Sequence, residues 1–425
     1  MTNRVRFWLV TILVVAFLLR LAWAVSEGRA AQPRNDLGGD AYGYEVAGQS
    51  IASGDGYTGE GGAPTAYHPP GYPYLVGVTY LLSDDAVIAP KLLNVALGTL
   101  AVLLTFSLGC RLFTRATGLV AAAILAVWPG VIFFVALPMP EAVTTVLVAS
   151  LLLGGLSLTE RPTPLRFLAA GLALGAAVLI RTELMLLPLA FLPELRRNVP
   201  ARAALSATLF AAALALMLTP WVIRNSVRMD SVTFSTGFGD NVYVGHNPST
   251  DGGGQLHDAL FAQYADLSPA EREVAYNRAA TREALRYVRD HPGDDLALIP
   301  GRLRHLWVGD DPALYIARGF DLTRTGRDRL LSLAANVFWY FVIGAAALSV
   351  PSWIRFNRRQ WSLPIVVLSW CILFGVVTHG EQRYHVALAP VLAVLAARTV
   401  LLAWAAIRRL AGARASASQT DAMPA

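Results

Sequence analysis

A chain of 425 residues that is 55% hydrophobic and only 15% charged is no soluble domain, where about a quarter of the residues carry charge. Composition makes it a polytopic membrane protein, in which backbone polar groups at membrane depth must be satisfied inside the protein. The net charge of +6 comes from arginine, with Lys91 as the single lysine, and the basic residues flank apolar spans. That pattern argues for membrane topology and against nucleic-acid binding. Cys110 and Cys371 both lie in apolar spans, which argues against a disulfide or metal framework.

The first apolar run covers residues 6–26. Arg4 and Arg6 before it and Ala22-Trp23-Ala24 within it have the outline of a signal peptide. Its length of about 20 residues instead suits a membrane helix, and a retained anchor is the expectation. Further apolar runs follow at 86–110, 117–137, 141–159, 167–181, 183–195, 203–222, 331–350, 362–378 and 386–407. The runs at 167–181 and 183–195 are short for a straight span. Arg181-Thr182-Glu183 sits at their junction.

Arginine placement sets the expected orientation. The short loops that would face the cytoplasm hold Arg111 and Arg115, Arg161 and Arg166, Arg196, Arg197 and Arg202, and Arg355, Arg358 and Arg359. The short links on the other side, at 138–140 and 379–385, hold only Arg383. This asymmetry predicts ten spans in the plasma (inner) membrane with both termini cytoplasmic. Two long polar segments, 27–85 and 223–330, then face outside, and residues 411–425 form a small, polar, disordered cytoplasmic tail.

The second long segment carries its own helix signals. Ser268-Pro269-Ala270-Glu271 is a capping box with proline at the first helical position, which predicts a helix to about Asp290. His291-Pro292-Gly293 stops it, and a second helix is expected near 294–308. Gly237-Phe238-Gly239-Asp240 through Gly252-Gly253-Gly254 reads as loop by composition.

Several polar residues lie where chemistry is possible. Asp36 and Asp40 follow the first span four residues apart, so on a helix they would share a face. Either is placed to act as a general base on an acceptor hydroxyl, or is a solvated loop carboxylate. As hard oxygen ligands the two also suit a divalent ion. In Tyr67-His68-Pro69-Pro70-Gly71-Tyr72-Pro73 the prolines fix an extended entry to an interfacial helix, and His68 is either a phosphate partner or a plain interfacial side chain. Glu141 opens an apolar span, where a carboxylate is expensive unless the helix dipole favours it. Arg181, Arg224 and Arg383 all lie at outside ends of spans. Their forked guanidinium groups suit a phosphate, although each can also snorkel to the headgroups or pair with Glu183 or Glu381.

Taken in order, these residues resemble the GT-C fold glycosyltransferases of the dolichyl-phosphate-mannose protein mannosyltransferase type, glycosyltransferase family 39. The resemblance rests on Leu19-Arg20-Leu21, on Asp40-Ala41-Tyr42-Gly43-Tyr44 with Ala47, and on His68 through Pro73. It continues with Leu179-Ile180-Arg181-Thr182-Glu183, Thr219 through Asn225, Gly245-His246-Asn247-Pro248 and Glu381-Gln382-Arg383-Tyr384. The most specific part is Pro220 through Asn225 followed by the Gly-His-Asn-Pro piece. Two departures stand out: there is no large C-terminal soluble domain, and Thr182 stands where related sequences often have proline.

The resemblance implies an all-α GT-C-like bundle that acts as an inverting transferase with a polyprenyl-phosphate sugar donor. Asp40 best matches the family's acidic base in the first outside loop, with Asp36 as fallback. Arg224 and Arg383, and more weakly Arg181, match the arginines at the donor phosphate. Tyr42, Tyr44, His68, Tyr72, Glu141, His246, Asn247, Glu381 and Tyr384 are the expected substrate pocket. No cofactor is required, a divalent cation is compatible, and no residue is assigned as a metal ligand. The acceptor is a protein hydroxyl, a lipid or a cell-wall glycan. A transporter of a lipid-linked sugar and a non-catalytic membrane scaffold are the rival readings; the first would favour paired discontinuous helices in a repeat, and no internal repeat is visible.

Overall fold

The computed structural model describes residues 2–27, 39–83, 85, 87–195, 202–254, 258–318 and 325–420. They are helical throughout, and among them only two isolated β-bridges occur, Thr58 with Pro64 and Gly253 with Gly380. In chain order, α1 (Asn3–Glu27) leads to two helices of the first polar segment, α2 (Asp40–Ser53) and α3 (Gly71–Leu82). These pack closely because Gly48 faces Val76 and Gly77 faces Ile51; a Cβ on Gly48 would come within 2.6 Å of the Val76 side chain.

Next come α4 (Ile88–Leu112), α5 (Arg115–Ala126) and the short α6 (Pro129–Phe133). Pro129 has no N–H to continue α5, and the chain bends there by 55°. The break strands carbonyls at the end of α5 at membrane depth. Arg20 of α1, fully buried, donates to Leu125 O and Ala126 O at 3.0 Å each, so a buried cation caps a broken helix. Small residues bring the neighbouring helices together, as Gly109 of α4 does against Gly118 of α5.

Two ends of one helix define the polarity of the bundle. α7 (Glu141–Glu160) begins at Glu141 beside Arg181 and ends at Glu160. Around Glu160 gather Arg111 at 2.6 Å and Arg359 at 2.8 Å, from two of the arginine-bearing short loops. These loops therefore lie at the opposite end of α7 from Arg181.

α8 (Pro164–Val178) packs on α10 (Ala203–Met229), with Gly171 and Gly175 facing Phe210 and Met217. Between them a 3₁₀ run, Thr182–Phe191, contains Pro188 and ends in α9 (Leu192–Leu195). The second polar segment holds α11 (Gly237–Gly245), α12 (Asp258–Ala262), α13 (Pro269–Asp290), α14 (Pro292–Ala297), α15 (Ile299–Trp307) and α16 (Pro312–Ala317). The bundle closes with α17 (Gly326–Ala347), α18 (Ser362–Ile372), a π-turn at Leu373–Val377, a 3₁₀ turn at Gln382–Leu388, and α19 (Ala389–Thr420).

The capping box is formed: Ser268 N–H donates to Glu271 at 3.2 Å, and α13 runs to Asp290. On three points the structure adds to or departs from the expectations. First, among the described residues six helices are long and apolar enough to cross a membrane, or seven with the bent α5–α6 pair, and the apolar helices Pro164–Val178 and Ser362–Val377 are shorter, so length and composition alone do not confirm ten spans. α8 is about 22 Å long against a hydrocarbon core of about 30 Å, and the run after Thr182 is 3₁₀ and interrupted by Pro188. Second, Gly237–Gly245 is a helix and not a loop. Gly239 lets its backbone reach α13, where its N–H donates to Asn277 Oδ1 at 2.8 Å, so tertiary contact overrides glycine's low propensity. Third, α19 continues through residues 411–420 of the segment read as a disordered tail, in keeping with its alanine content; residues 421–425 lie outside the described residues.

The two long polar segments pack on each other, which puts them on one side of the bundle. Thr65 donates to Glu273 at 2.8 Å, Thr236 N–H to Ala66 O at 3.0 Å, and Ser235 to Tyr67 O at 2.7 Å.

Candidate active site

Between these segments lies a cavity of about 2100 Å³, lined by Asp40, Tyr42, Tyr44, His68, Arg181, Glu183, Glu381, Arg383 and Tyr384 among others. Asp40 is the first residue of α2. Gly39 before it has φ +102°, a left-handed conformation that side chains rarely adopt, so the chain turns sharply into the helix. Asp36 lies outside the described residues.

Asp40 pairs with Arg383 Nη1, and its Oδ1 lies 3.5 Å from His68 Nε2. Burial alone would raise the Asp40 carboxyl, but Arg383, His68 and Arg181 outweigh it and hold the group far below the usual carboxylate range. Burial pushes His68 down to about 4, with Arg383 and Arg181 adding to the effect and Asp40 opposing it. At neutral pH the corner therefore holds an ionised Asp40 and a neutral His68. The His68 ring stacks on Tyr44 with centroids 4.2 Å apart, and Tyr44 meets Tyr72 edge-on at 5.1 Å. The two prolines after His68 fix its approach to this stack.

Arg383 and Arg181 flank the Tyr384 ring, at 5.5 and 5.9 Å from its centroid. Arg383 also faces Glu381 at 2.8 Å. Arg181 lies 3.1 Å from Glu183 and 3.3 Å from Glu141. Both Nε atoms face carboxylates, Arg383 Nε towards Glu381 at 2.8 Å and Arg181 Nε towards Glu183 at 3.1 Å, without forming a hydrogen bond, and Glu141 Oε2 is buried with no hydrogen bond. Two guanidinium groups at a cavity wall, held by carboxylates that an anion can replace, are suited to an incoming phosphate.

Other expected site residues stand elsewhere. Arg224 donates to Thr65 O at 2.6 Å, to the Tyr57 carbonyl and to Asn225 Oδ1 at 3.0 Å. It fastens the first polar segment to α10, and its donors are committed to backbone and to Asn225, not to the cavity. His246 is buried between Asp295, at 2.7 Å from Nδ1, and the Val377 carbonyl, at 3.2 Å from Nε2. Arg302 completes that knot by donating to Gly245 O at 2.6 Å and to Asp295 at 2.5 Å. Asn247 shapes the turn after α11, accepting from Ser249 N–H at 2.8 Å. Neither residue lines the cavity; Tyr72 and Glu141 lie behind its wall.

The cavity also holds residues that sequence reading did not single out. Tyr67 donates to Asp240 at 2.8 Å, and Tyr276 to the other oxygen of Asp240 at 2.7 Å. His379 lies 3.7 Å from Glu381 and 3.3 Å from the Tyr384 hydroxyl. Position next to His68 and Glu381 was the available signal for Tyr67 and His379. Asp240 carries none, since only the fold brings α11 and α13 to the first segment.

Among the described residues no three His, Cys, Asp or Glu groups are arranged to hold a metal ion. Asp40 and Glu381 both face Arg383.

The sequence model of the family described as dolichyl-phosphate-mannose-protein mannosyltransferase matches residues 67–224. No curated protein matches the chain in sequence. Among solved structures, the oligosaccharyltransferase of Archaeoglobus fulgidus in its apo form is 17% identical, with TM-score 0.51, over 96% of this chain and 52% of that one. The same enzyme in complex with zinc and sulfate gives 17% identity and TM-score 0.50, over 93% and 51%. ArnT from Cupriavidus metallidurans bound to undecaprenyl phosphate gives 15% identity and TM-score 0.47, over 92% and 77%. The chain thus spans about half the length of the oligosaccharyltransferase. Over residues 67–224 the chain is similar in sequence to the dolichyl-phosphate-mannose-protein mannosyltransferases, and as a whole it is an all-α membrane protein with a GT-C-like fold.

Proposed function

We propose that the chain is an inverting glycosyltransferase that moves a sugar from a polyprenyl-phosphate donor to an acceptor hydroxyl on the extracytoplasmic side of the plasma membrane. The single observation that carries this reading is the cavity corner where ionised Asp40 meets Arg383 with Arg181 close by. The family match over residues 67–224 supports it. The arginine-bearing loops around Glu160, at the far end of α7, support a cytoplasmic face opposite the site.

In the resting protein Asp40 and Arg383 satisfy each other. An arriving phosphate competes for the guanidinium groups, and the freed carboxylate accepts the proton of the acceptor hydroxyl. The acceptor oxygen forms its bond to the anomeric carbon as the bond from that carbon to the phosphate oxygen breaks. The electron pair leaves with polyprenyl phosphate, whose added negative charge Arg383 and Arg181 stabilise. Tyr44, His68 and Tyr384 supply ring faces and hydrogen-bonding edges for the sugar. These steps draw on no metal; Asp36 and Asp40, as hard oxygen ligands, are the residues that would hold a divalent ion.

The test is release of free polyprenyl phosphate by the purified chain in nanodiscs, offered a panel of polyprenyl-phosphate sugars with an acceptor extract. One sugar should support release, and a chelator should leave the rate unchanged. A chelator-sensitive rate restored by a divalent ion would overturn the metal-free mechanism. No release with any donor, from an extract that a known transferase can use, would overturn the assignment.

A further inference from the structure

Arg383 lies on the 3₁₀ turn Gln382–Leu388, and two residues further on that turn carries a fully buried ion pair. His385 Nε2 is 3.0 Å from Asp310 Oδ1, with both side chains at 0% exposure. The other ring nitrogen, Nδ1, is 2.8 Å from Leu306 O. A carbonyl only accepts, so Nδ1 carries a proton, and one further proton lies between Nε2 and Asp310. The imidazole stacks on Trp339 with centroids 4.0 Å apart, and Trp307 lies parallel to it at 6.2 Å.

Asp310 is bonded on every side. Its Oδ2 accepts from Trp128 Nε1 at 2.5 Å, and its backbone N–H donates to Asn336 Oδ1 at 2.7 Å. The carboxylate thus joins the α5–α6 break to the turn that bears Arg383, and the backbone N–H of the same residue ties it to α17. A second tie holds the same turn: Trp370 Nε1 donates to Tyr384 O at 3.2 Å. Burying an ion pair at this depth costs more than an apolar contact of the same volume. What it adds is direction, since both ring nitrogens of His385 have fixed partners and the turn cannot rotate about its axis without breaking them.

We infer that His385 and Asp310 are positioning residues, and that their pairing sets the register of the Gln382–Leu388 turn so that Arg383 and Tyr384 face Asp40. This rests on the reading of Arg383 as a donor-phosphate group. Neither His385 nor Asp310 lines the cavity, so the pair acts only through the turn.

The test uses the full chain in nanodiscs and titrates it with a long-chain polyprenyl phosphate. The double substitution His385→Leu with Asp310→Asn removes the pair without stranding a buried charge. Thermal unfolding confirms that this variant folds; Asp310→Asn alone covers the case in which it does not. In Asp310→Asn a neutral His385 keeps both bonds, accepting at Nε2 from the new amide.

The double variant should bind polyprenyl phosphate roughly tenfold more weakly, as expected when a binding group is misplaced. Asp310→Asn should bind as wild type does. Added to Arg383→Ala, the double substitution should weaken binding no further, whereas a merely structural loss would still add. An undiminished further loss in the Arg383→Ala background, unchanged binding by the folded double variant, or weakened binding by Asp310→Asn would overturn the inference. If Arg383→Ala itself leaves binding unchanged, the phosphate reading fails and the inference with it.

Discussion

Two buried charge clusters in this chain come from equally prominent sequence motifs, yet they are built for different ends. Around Arg302, every charge is matched: Asp295 and the Gly245 carbonyl receive its donors, His246 meets Asp295 from the other side, and the Arg302 side chain is fully buried. Around Arg383 the charges are paired but the hydrogen bonds are not saturated: Nε of Arg383 and of Arg181 face Glu381 and Glu183 without a hydrogen bond, one oxygen of Glu141 has none, and the cluster borders a large cavity. A saturated cluster sealed inside the chain can only hold chain segments together. An unsaturated one at a cavity wall can exchange a carboxylate partner for an incoming anion.

The comparison is broken most easily from the saturated side. Arg302→Leu strands Asp295, and loss of one partner of a buried pair costs about 3–5 kcal/mol. Thermal unfolding should show the chain strongly destabilised. A variant with wild-type stability would mean that the knot holds nothing.

On the unsaturated side, Arg383→Ala should raise the donor KM by roughly 10- to 100-fold, the scale of a lost charge-assisted contact, in the protein that remains folded. Arg224→Ala is the contrast. It removes hydrogen bonds to Thr65 and Tyr57 carbonyls, so it should destabilise by about 1–3 kcal/mol and leave the donor KM alone in the fraction that remains folded. A reversal of the two outcomes would exchange the roles assigned to these arginines.

The sequence made some of this legible and not the rest, for identifiable reasons. Apolar runs marked the helices, because burial in lipid demands long apolar stretches. The capping box at Ser268 marked the start of α13, because it is a local interaction. Arg224 and Arg383 could not be told apart, since both end apolar spans on the same side; only the path of residues 57–65 under Arg224 separates them. The His246 motif read as substrate pocket because a motif records that residues matter and not whether they touch ligand or chain. Asp240 and Tyr276 were silent because their meeting with Tyr67 depends on how two distant segments pack. The span count is least legible at α8, α18 and Thr182–Phe191, where apolar composition outruns helix length.

A further expected effect concerns the pH dependence set by His68. Its folded-state value is lowered by burial from 6.5 to about 4, so between those values the unfolded chain binds more protons than the folded one. Stability should rise with pH through that window and fall as pH drops through it. The unfolding temperature should follow this slope in the wild type and lose part of it in His68→Gln. An unchanged slope would show that His68 is not held neutral by its surroundings.

The central claim is that Asp40 is the base of a transfer reaction and not merely the partner of Arg383. The most direct measurement pairs turnover with donor binding in Asp40→Asn, which keeps the size of the side chain and removes its basicity. The account predicts turnover lower by about 10²- to 10⁴-fold, the range for a removed general base, with polyprenyl-phosphate binding retained or tightened because Arg383 is released. Turnover at the wild-type rate in a folded Asp40→Asn protein would contradict it.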